Sequence, residues 1–303
     1  MDIQKKKNLT AGLLVFASIL WGGSFAAQSA AAQLVGPHTF NSLRLLAGGL
    51  ALIPVVALAE YAAKKRGRRE PFLPRLKASV LGGTVCGLML LGATFTQQAA
   101  METVSAGKAG FLTALYIVLV PVFGSFFGRR PEKKIWFCVF LDMVGFYFLC
   151  VHGTFTVAKE DLLLLVTASF FALQILAVEW AIRRGADGFM LACAEFLTGG
   201  LLELPFMLIG ETPVLAGIVP ALPQILYVGA ISGAIGYSLQ NIGQKYIDSA
   251  PAALLMSPES VFSALFGWMF LGQKLSGTEL LGCACVFAAV ILSQVKGRRG
   301  SRQ

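Results

Sequence analysis

Ten apolar stretches separated by short, mostly basic loops run the length of this 303-residue chain. They fall at about 9–31, 38–59, 78–99, 107–127, 134–151, 161–182, 188–209, 222–243, 251–271 and 276–295. At about 1.5 Å per residue, each crosses or nearly crosses a hydrocarbon layer of about 30 Å. In hydrocarbon every backbone N–H and C=O must be satisfied within its own segment, so such stretches fold as helices. The composition agrees: 56% of residues are hydrophobic and only 14% charged, against about 25% charged in soluble domains. The expected fold is an all-α integral membrane protein with ten transmembrane helices. The basic start MDIQKKKNLT leads into a long apolar run without a convincing small-residue cleavage site, so it reads as span one and not as a removed signal.

The basic residues give the orientation. Of the 25 Lys and Arg, 21 lie in the two ends and the alternate loops on their side, including the run from Lys64 to Lys77. Only Lys108, Lys159 and Lys274 lie on the other side, and Arg44 is inside span two. By the excess of cytoplasmic Lys and Arg, both termini are expected in the cytoplasm, in a multi-pass protein of the cytoplasmic membrane. The net charge of +9 then reflects topology and contact with a lipid bilayer of anionic head groups. It gives no reason to expect nucleic acid.

The chain also repeats itself. FNSLRLLAGGLALIP at 40–54 and LACAEFLTGGLLELP at 191–205 align at a shift of 151, with Leu46, Gly48, Gly49, Leu50 and Pro54 on Leu197, Gly199, Gly200, Leu201 and Pro205. Farther on, Gly83 and Gly87 align with Gly229 and Gly233. At a shift of 143, Gln97 aligns with Gln240, and Phe123, Gly124 and Phe127 with Phe266, Gly267 and Phe270. Two five-helix units are expected, residues 1–152 and 153–303. Five is odd, so the second unit enters the membrane from the opposite side. Inverted repeats of this kind place a substrate site near the midplane between the units.

Three stretches carry a family resemblance. WGGSF at Trp21–Phe25, RLLA at Arg44–Ala47 and, most extensively, residues 249–292 resemble the EamA-type family of the drug/metabolite transporter superfamily. The resemblance covers nearly the whole chain. It implies ten helices in two inverted halves and movement of small metabolites, with export of amino acids or related compounds the expected direction. One departure matters: the turn after span nine usually ends glycine-glutamate and here reads Gly272–Gln273, so a role for that glutamate does not carry over.

Charges inside the spans are costly, about 2.5–3.5 kcal/mol each on insertion scales. They are Arg44, Asp142, Glu179, Glu195, Glu203 and Glu259. Glu195, Gly199 and Glu203 share a helix face at i, i+4, i+8; the aligned face of span two carries Arg44, Gly48 and Leu52. Arg44 and Glu203 lie at similar depth near the outer side, which allows an ion pair. Glu195 and Glu259 lie in the inner third; facing each other, one would hold a proton, which suits proton coupling or a cationic substrate. Glu195, Glu203 and Glu259 are therefore candidates for proton coupling or gating. Glu179 is expected to snorkel toward Arg183 and Arg184; the resemblance implies that span five, which carries Asp142, is peripheral. Trp21, Gln28, Arg44, Gln97, Tyr116, Gln174, Gln240 and Asn241 are the candidates for substrate contact. Tyr116 aligns with Glu259 across the repeat. Each of these groups can equally serve the bundle, through interhelical hydrogen bonds of about 0.6 kcal/mol. Pro121 and Pro258, which do not align, are expected to make separate kinks.

Neither the six Cys nor His38 and His152 form a metal or disulfide pattern. Phosphate loops and nucleophile motifs are missing from the sequence, so neither cofactor nor enzyme activity is expected. The reading is a secondary transporter of small organic metabolites, working by alternating access with protons as a candidate coupling ion. The alternatives are a non-transporting subunit or sensor, and a membrane-embedded lipid-processing enzyme. The oligomeric state is left open.

Overall fold

A computed structural model of the chain describes residues 3–67, 70–104, 106–129, 131–150, 159–271 and 276–294. His152, the Gly272–Gln273 turn and the basic carboxyl-terminal tail lie outside the described residues. Within them every regular element is helical. Spans one to three are the unbroken helices α1 (Ile3–Ala31), α2 (Pro37–Lys65) and α3 (Phe72–Ala100). Span four is α4 (Ala106–Ala114) followed by α5 (Tyr116–Phe126), and span five is α6 (Lys133–Cys150). Spans six and seven are α7 (Lys159–Arg183) and α8 (Gly188–Gly210). Span eight is α9 (Leu215–Leu226), a π-helical stretch (Tyr227–Ile235) and α10 (Gly236–Gln244). Span nine is α11 (Ser249–Met256) and α12 (Glu259–Leu271), and span ten is α13 (Gly277–Gln294). Nine of these spans are apolar and long enough to cross a membrane; α6 is the tenth, with Lys133, Lys134 and Asp142 in it.

Several helices run past the apolar stretches that announce them. α2 and α3 extend beyond their apolar stretches and are tied there by a forked Arg75–Glu60 pair at 2.9 and 2.8 Å. Helix ends are set by local chemistry. Asp187 accepts from Phe189 N at 3.1 Å and so starts α8. Just before it, Gly185 takes φ +90°, a left-handed turn that ends α7. α2 begins with Pro37 and is capped across space: the Glu211 carboxylate accepts from His38 N and Thr39 N, both at 2.8 Å.

The two prolines act differently from the expectation. Span nine breaks at Ser257–Pro258, whereas Pro121 lies inside α5 and span four breaks at Leu115. At the 143-residue shift Leu115 aligns with Pro258. The two breaks thus fall at aligned positions although only one has a proline, so proline alone does not account for them.

The bundle is turned inside out relative to a soluble protein. Leu50, Leu58, Phe126, Ile209 and many other large apolar side chains are exposed, while Asn41, Gln98, Asp142, Glu195, Glu203 and Asn241 are fully buried. Such a surface suits lipid, not water. α2 packs on α8, α3 on both α7 and α8, and α6 on α13; α1 packs on α10, α12 and the π stretch, which also touches α2. Glycines allow these approaches. A Cβ on Gly49 would meet Leu197 Cδ2 at 2.7 Å, and one on Gly200 would meet Leu46 N at 2.9 Å, so each leucine fills the other helix's glycine notch. Gly229, in the π stretch, sits directly on the carbonyl of Arg44.

Because backbone cannot retreat as a side chain can, Gly229→Ala is expected to force α2 and span eight apart. The expected loss is about 1–3 kcal/mol, read as a lower unfolding temperature of the detergent-purified protein. Gly277→Ala, where a Cβ meets nothing within 4 Å, serves as the control and leaves that temperature unchanged.

Candidate functional site

A cavity lies at the middle of the bundle, lined by residues of spans one to four, six, eight and nine. Its volume of about 60 Å³ holds several waters or part of a small solute. Seven of the eight substrate-contact candidates line it: Trp21, Gln28, Arg44, Gln97, Tyr116, Gln174 and Gln240, joined by Glu259. Asn241 does not; its amide donates to Gly188 O at 3.2 Å and ties α10 to the start of α8.

The polar groups are held by short bonds. Arg44 is 7% exposed. Its Nε donates to Asn41 Oδ1 at 2.9 Å, and Asn41 in turn donates to Thr94 O at 2.9 Å. The guanidinium lies 5.5 Å from the Phe40 ring centre. Its Nη2 has no partner. Gln97 Nε2 donates to Thr113 Oγ1 at 3.2 Å, and Gln28 Nε2 to Ser24 Oγ at 3.4 Å. Gln28 Oε1 and the indole N–H of Trp21 have no partners.

The carboxylates separate into different environments. Glu259, 4% exposed, lies beside the Tyr116 hydroxyl, its aligned counterpart in the other half, and its Oε1 has no hydrogen-bond partner. Glu195 stands behind the cavity wall, accepting from Gln174 Nε2 at 2.7 Å. The two carboxylates are thus satisfied by different groups and do not form a pair. Glu203 lies toward the face opposite the amino terminus and bonds to His38 Nδ1 at 2.8 Å. The Arg44–Glu203 ion pair that their similar depth allows does not form. Asp142 accepts from Ser257 Oγ at 3.1 Å, away from the cavity.

Glu179 differs most from the expectation. It does not snorkel: it is 2% exposed and pairs with Arg129 at 2.7 Å and Arg183 at 2.6 Å. Arg184 turns away to lie over the Trp180 ring.

The cavity also contains polar residues that the sequence reading did not single out. Ser24, Thr94, Thr113, Ser232 and Tyr237 line it. Tyr237 makes edge contacts with Trp21 and Phe196, ring centres 5.2 and 5.1 Å apart, and its hydroxyl is within electrostatic reach of Glu195, Arg44 and Glu259. The signal was present. Thr94, Thr113 and Tyr237 lie three residues before Gln97, Tyr116 and Gln240, one helical turn away on the same face.

The sequence profile of the EamA-like transporter family matches residues 8–151 and again 158–294. The chain belongs to this family. The threonine/homoserine exporter RhtA of Salmonella typhimurium is 30% identical over 296 residues, covering 95% of this chain and 91% of that protein. RhtA of Escherichia coli strain K12 is 29% identical over 302 residues, covering 96% and 92%. An uncharacterized transporter of Archaeoglobus fulgidus is 27% identical over 296 residues, covering 96% and 87%. A protein of known crystal structure has the same fold at 20% identity, with a TM-score of 0.72 over 95% of this chain and 98% of that one. The family and these named relatives are transporters, and this chain is a multi-pass membrane transporter of small molecules.

Asn41 is expected to matter through Arg44. Asn41→Ala leaves the Arg44 Nε unsatisfied and removes the second donor to the Thr94 carbonyl, at about 1–3 kcal/mol. Thermal unfolding of the purified protein should show this loss, and Asn41→Asp, which keeps the acceptor for Arg44, should recover part of it.

Proposed function

We propose that the protein exports small zwitterionic amino acids of the threonine type across the cytoplasmic membrane by alternating access, in exchange for protons. One observation carries this reading. Arg44 and Glu259 line the same buried cavity, and neither has an ion-pair partner among the described residues. Opposite charges kept apart in a low-dielectric site are completed by a ligand bearing both: an α-carboxylate for the free Nη2 of Arg44, an α-ammonium for the free Oε1 of Glu259. Gln28, Gln97, Tyr116, Gln174 and Gln240 supply neutral donors and acceptors around them, and Trp21 supplies an apolar wall. The family and the 30%-identical threonine/homoserine exporter support the substrate class and the direction.

Proton exchange follows from the same carboxylate. A proton and an ammonium are alternative partners for Glu259, so each excludes the other. A proton arriving from outside displaces the amino acid, and substrate from the cytoplasm displaces the proton. Glu195 and Glu203 lie on either side of this step, one behind the cavity wall and one at His38.

Alternating access rests on two inverted halves, residues 1–152 and 153–303, with the amino-terminal face in the cytoplasm. The packing supports that reading. Span three against span six has its counterpart in span eight against span one, and span three against span seven has its counterpart in span eight against span two. Spans two and seven, four and nine, and five and ten pair with their own counterparts. A half that exchanges conformation with its counterpart opens the cavity to the other side.

The test is efflux of labelled threonine from proteoliposomes. Acidifying the outside is expected to accelerate efflux several-fold, and Glu259→Gln to remove that response. Equal efflux with and without the gradient refutes exchange with protons; absence of threonine flux while another class of solute moves refutes the substrate assignment. Arg44→Gln is expected to weaken apparent threonine affinity by roughly 30-fold, about 2 kcal/mol, as for loss of a buried charge partner.

A further inference from the structure

We propose that Glu179 is the latch of a gate on the amino-terminal face and that an unbroken chain of amides wires it to the cavity. The proposal rests on the transporter reading of the central cavity. A vestibule of about 980 Å³ opens on that face, with Arg129, Leu176, Glu179 and Ser249 in its wall. Leu176 faces the vestibule and its neighbour Ile175 faces the cavity, so the two spaces approach within one turn of α7. Glu179 joins three spans at this narrowing. It pairs with Arg129 after α5 and with Arg183 on its own helix, and it accepts from Ser249 N at 3.0 Å and from Ser249 Oγ, which fixes the start of α11. α5 and α11 are the halves of spans four and nine on the amino-terminal side of their breaks. Releasing Glu179 frees both to swing.

The wiring runs from carboxylate to carboxylate. Gln174 Nε2 donates to Glu195 at 2.7 Å, and Gln174 Oε1 accepts from Gln240 Nε2 at 3.0 Å. Gln240 Nε2 also donates to Gln244 Oε1 at 3.2 Å. Gln244 Nε2 donates to Ser249 Oγ at 3.2 Å, and Ser249 donates to Glu179. Gln240 uses both of its amide hydrogens, one toward each end. The other side-chain donors in the chain point away from it toward a carboxylate, and Gln244 Nε2 and Ser249 Oγ also lie against the Ile175 carbonyl, at 2.9 and 3.3 Å, so that a reversal gives up these bonds. If Glu195 becomes a donor, Gln174 must turn round, two NH2 groups then face each other, and the reversal propagates toward Ser249.

This chain leads to one face only. At the shifts that align the two halves, Gln174, Gln244, Ser249 and Glu179 correspond to Gly23, Met101, Ala106 and Gln28. Only Gln240 has a matching amide, Gln97. Among the described residues the opposite face has instead a Lys108–Asp161 pair at 2.7 Å between α4 and α7, with no amide chain leading from it to the cavity at the aligned positions.

Hydrogen exchange read by mass spectrometry on the full-length protein in lipid nanodiscs tests this without any substrate. In Glu179→Gln, amides of 117–129 and 245–256 are expected to exchange on the order of tenfold faster, while 36–44 and 203–211, on the opposite face, keep their rates. Arg129→Gln, which leaves the Ser249 bonds in place, is expected to show a smaller rise in the same two segments if Glu179→Gln fails to fold. Glu195→Gln is expected to raise exchange at 245–256, and Gln244→Leu to abolish that effect. Faster exchange on both faces alike in Glu179→Gln assigns Glu179 a merely structural role and overturns the latch. A Glu195→Gln effect that persists in Gln244→Leu, or none at 245–256, overturns the wire. Because exchange requires no threonine, failure of the flux experiment leaves these outcomes interpretable.

Discussion

A charge in hydrocarbon has to find its partner inside the bundle, and most of this structure can be read as a set of answers to that requirement. Glu179 takes two arginines and the start of α11. Glu203 takes His38, Asp142 takes Ser257, and Glu195 takes Gln174. Arg44 and Glu259 keep free atoms, and both line the central cavity. Asp142, Glu179, Glu195 and Glu203 also keep one oxygen without a hydrogen-bond partner, but of these six charges, each costing about 2.5–3.5 kcal/mol on insertion scales, Arg44 and Glu259 are the two in the wall of the cavity.

Close packing makes this arrangement specific. Leu46 and Leu197 fill reciprocal notches at Gly200 and Gly49, and Gly229 rests on the carbonyl of Arg44. The backbone that carries the guanidinium is thus positioned by a contact that admits no side chain. The π stretch Tyr227–Ile235 lies at that contact, with Ser232 and Gly233 in the cavity wall. Such stretches recur at functional sites because they rotate side chains out of the regular helical register.

Much of the fold was legible in the sequence because hydrocarbon leaves the backbone few choices. Apolar length gave the helices, and seven of eight substrate-contact candidates fell on the cavity because polar residues in such spans have few other places to point. What could not be read was pairing between spans. Depth along a helix placed Arg44 level with Glu203, but rotation about the helix axis gave Glu203 to His38. Glu179 looked interfacial because it precedes Arg183 by one turn, yet Arg129 reaches it from a distant loop. Pro121 looked like a kink, but the break in span four falls at Leu115, opposite Pro258 in the repeat. The neutral cavity residues Thr94, Thr113 and Tyr237 went unremarked because a lone hydroxyl in a span gives no signal until it is read with the amide or phenol one turn away.

The central claim is that one cavity reads both ends of a zwitterion, with Arg44 and Glu259 as its two poles. Equilibrium binding to the purified protein addresses it most directly, comparing threonine with its methyl ester, which lacks the carboxylate, and with N-acetylthreonine, which lacks the ammonium. The expected result is that threonine binds and displaces a competitor, and that each derivative is weaker by at least about 30-fold, the loss of one buried charge partner. Equal binding of all three would contradict the assignment of Arg44 and Glu259 as the recognition pair.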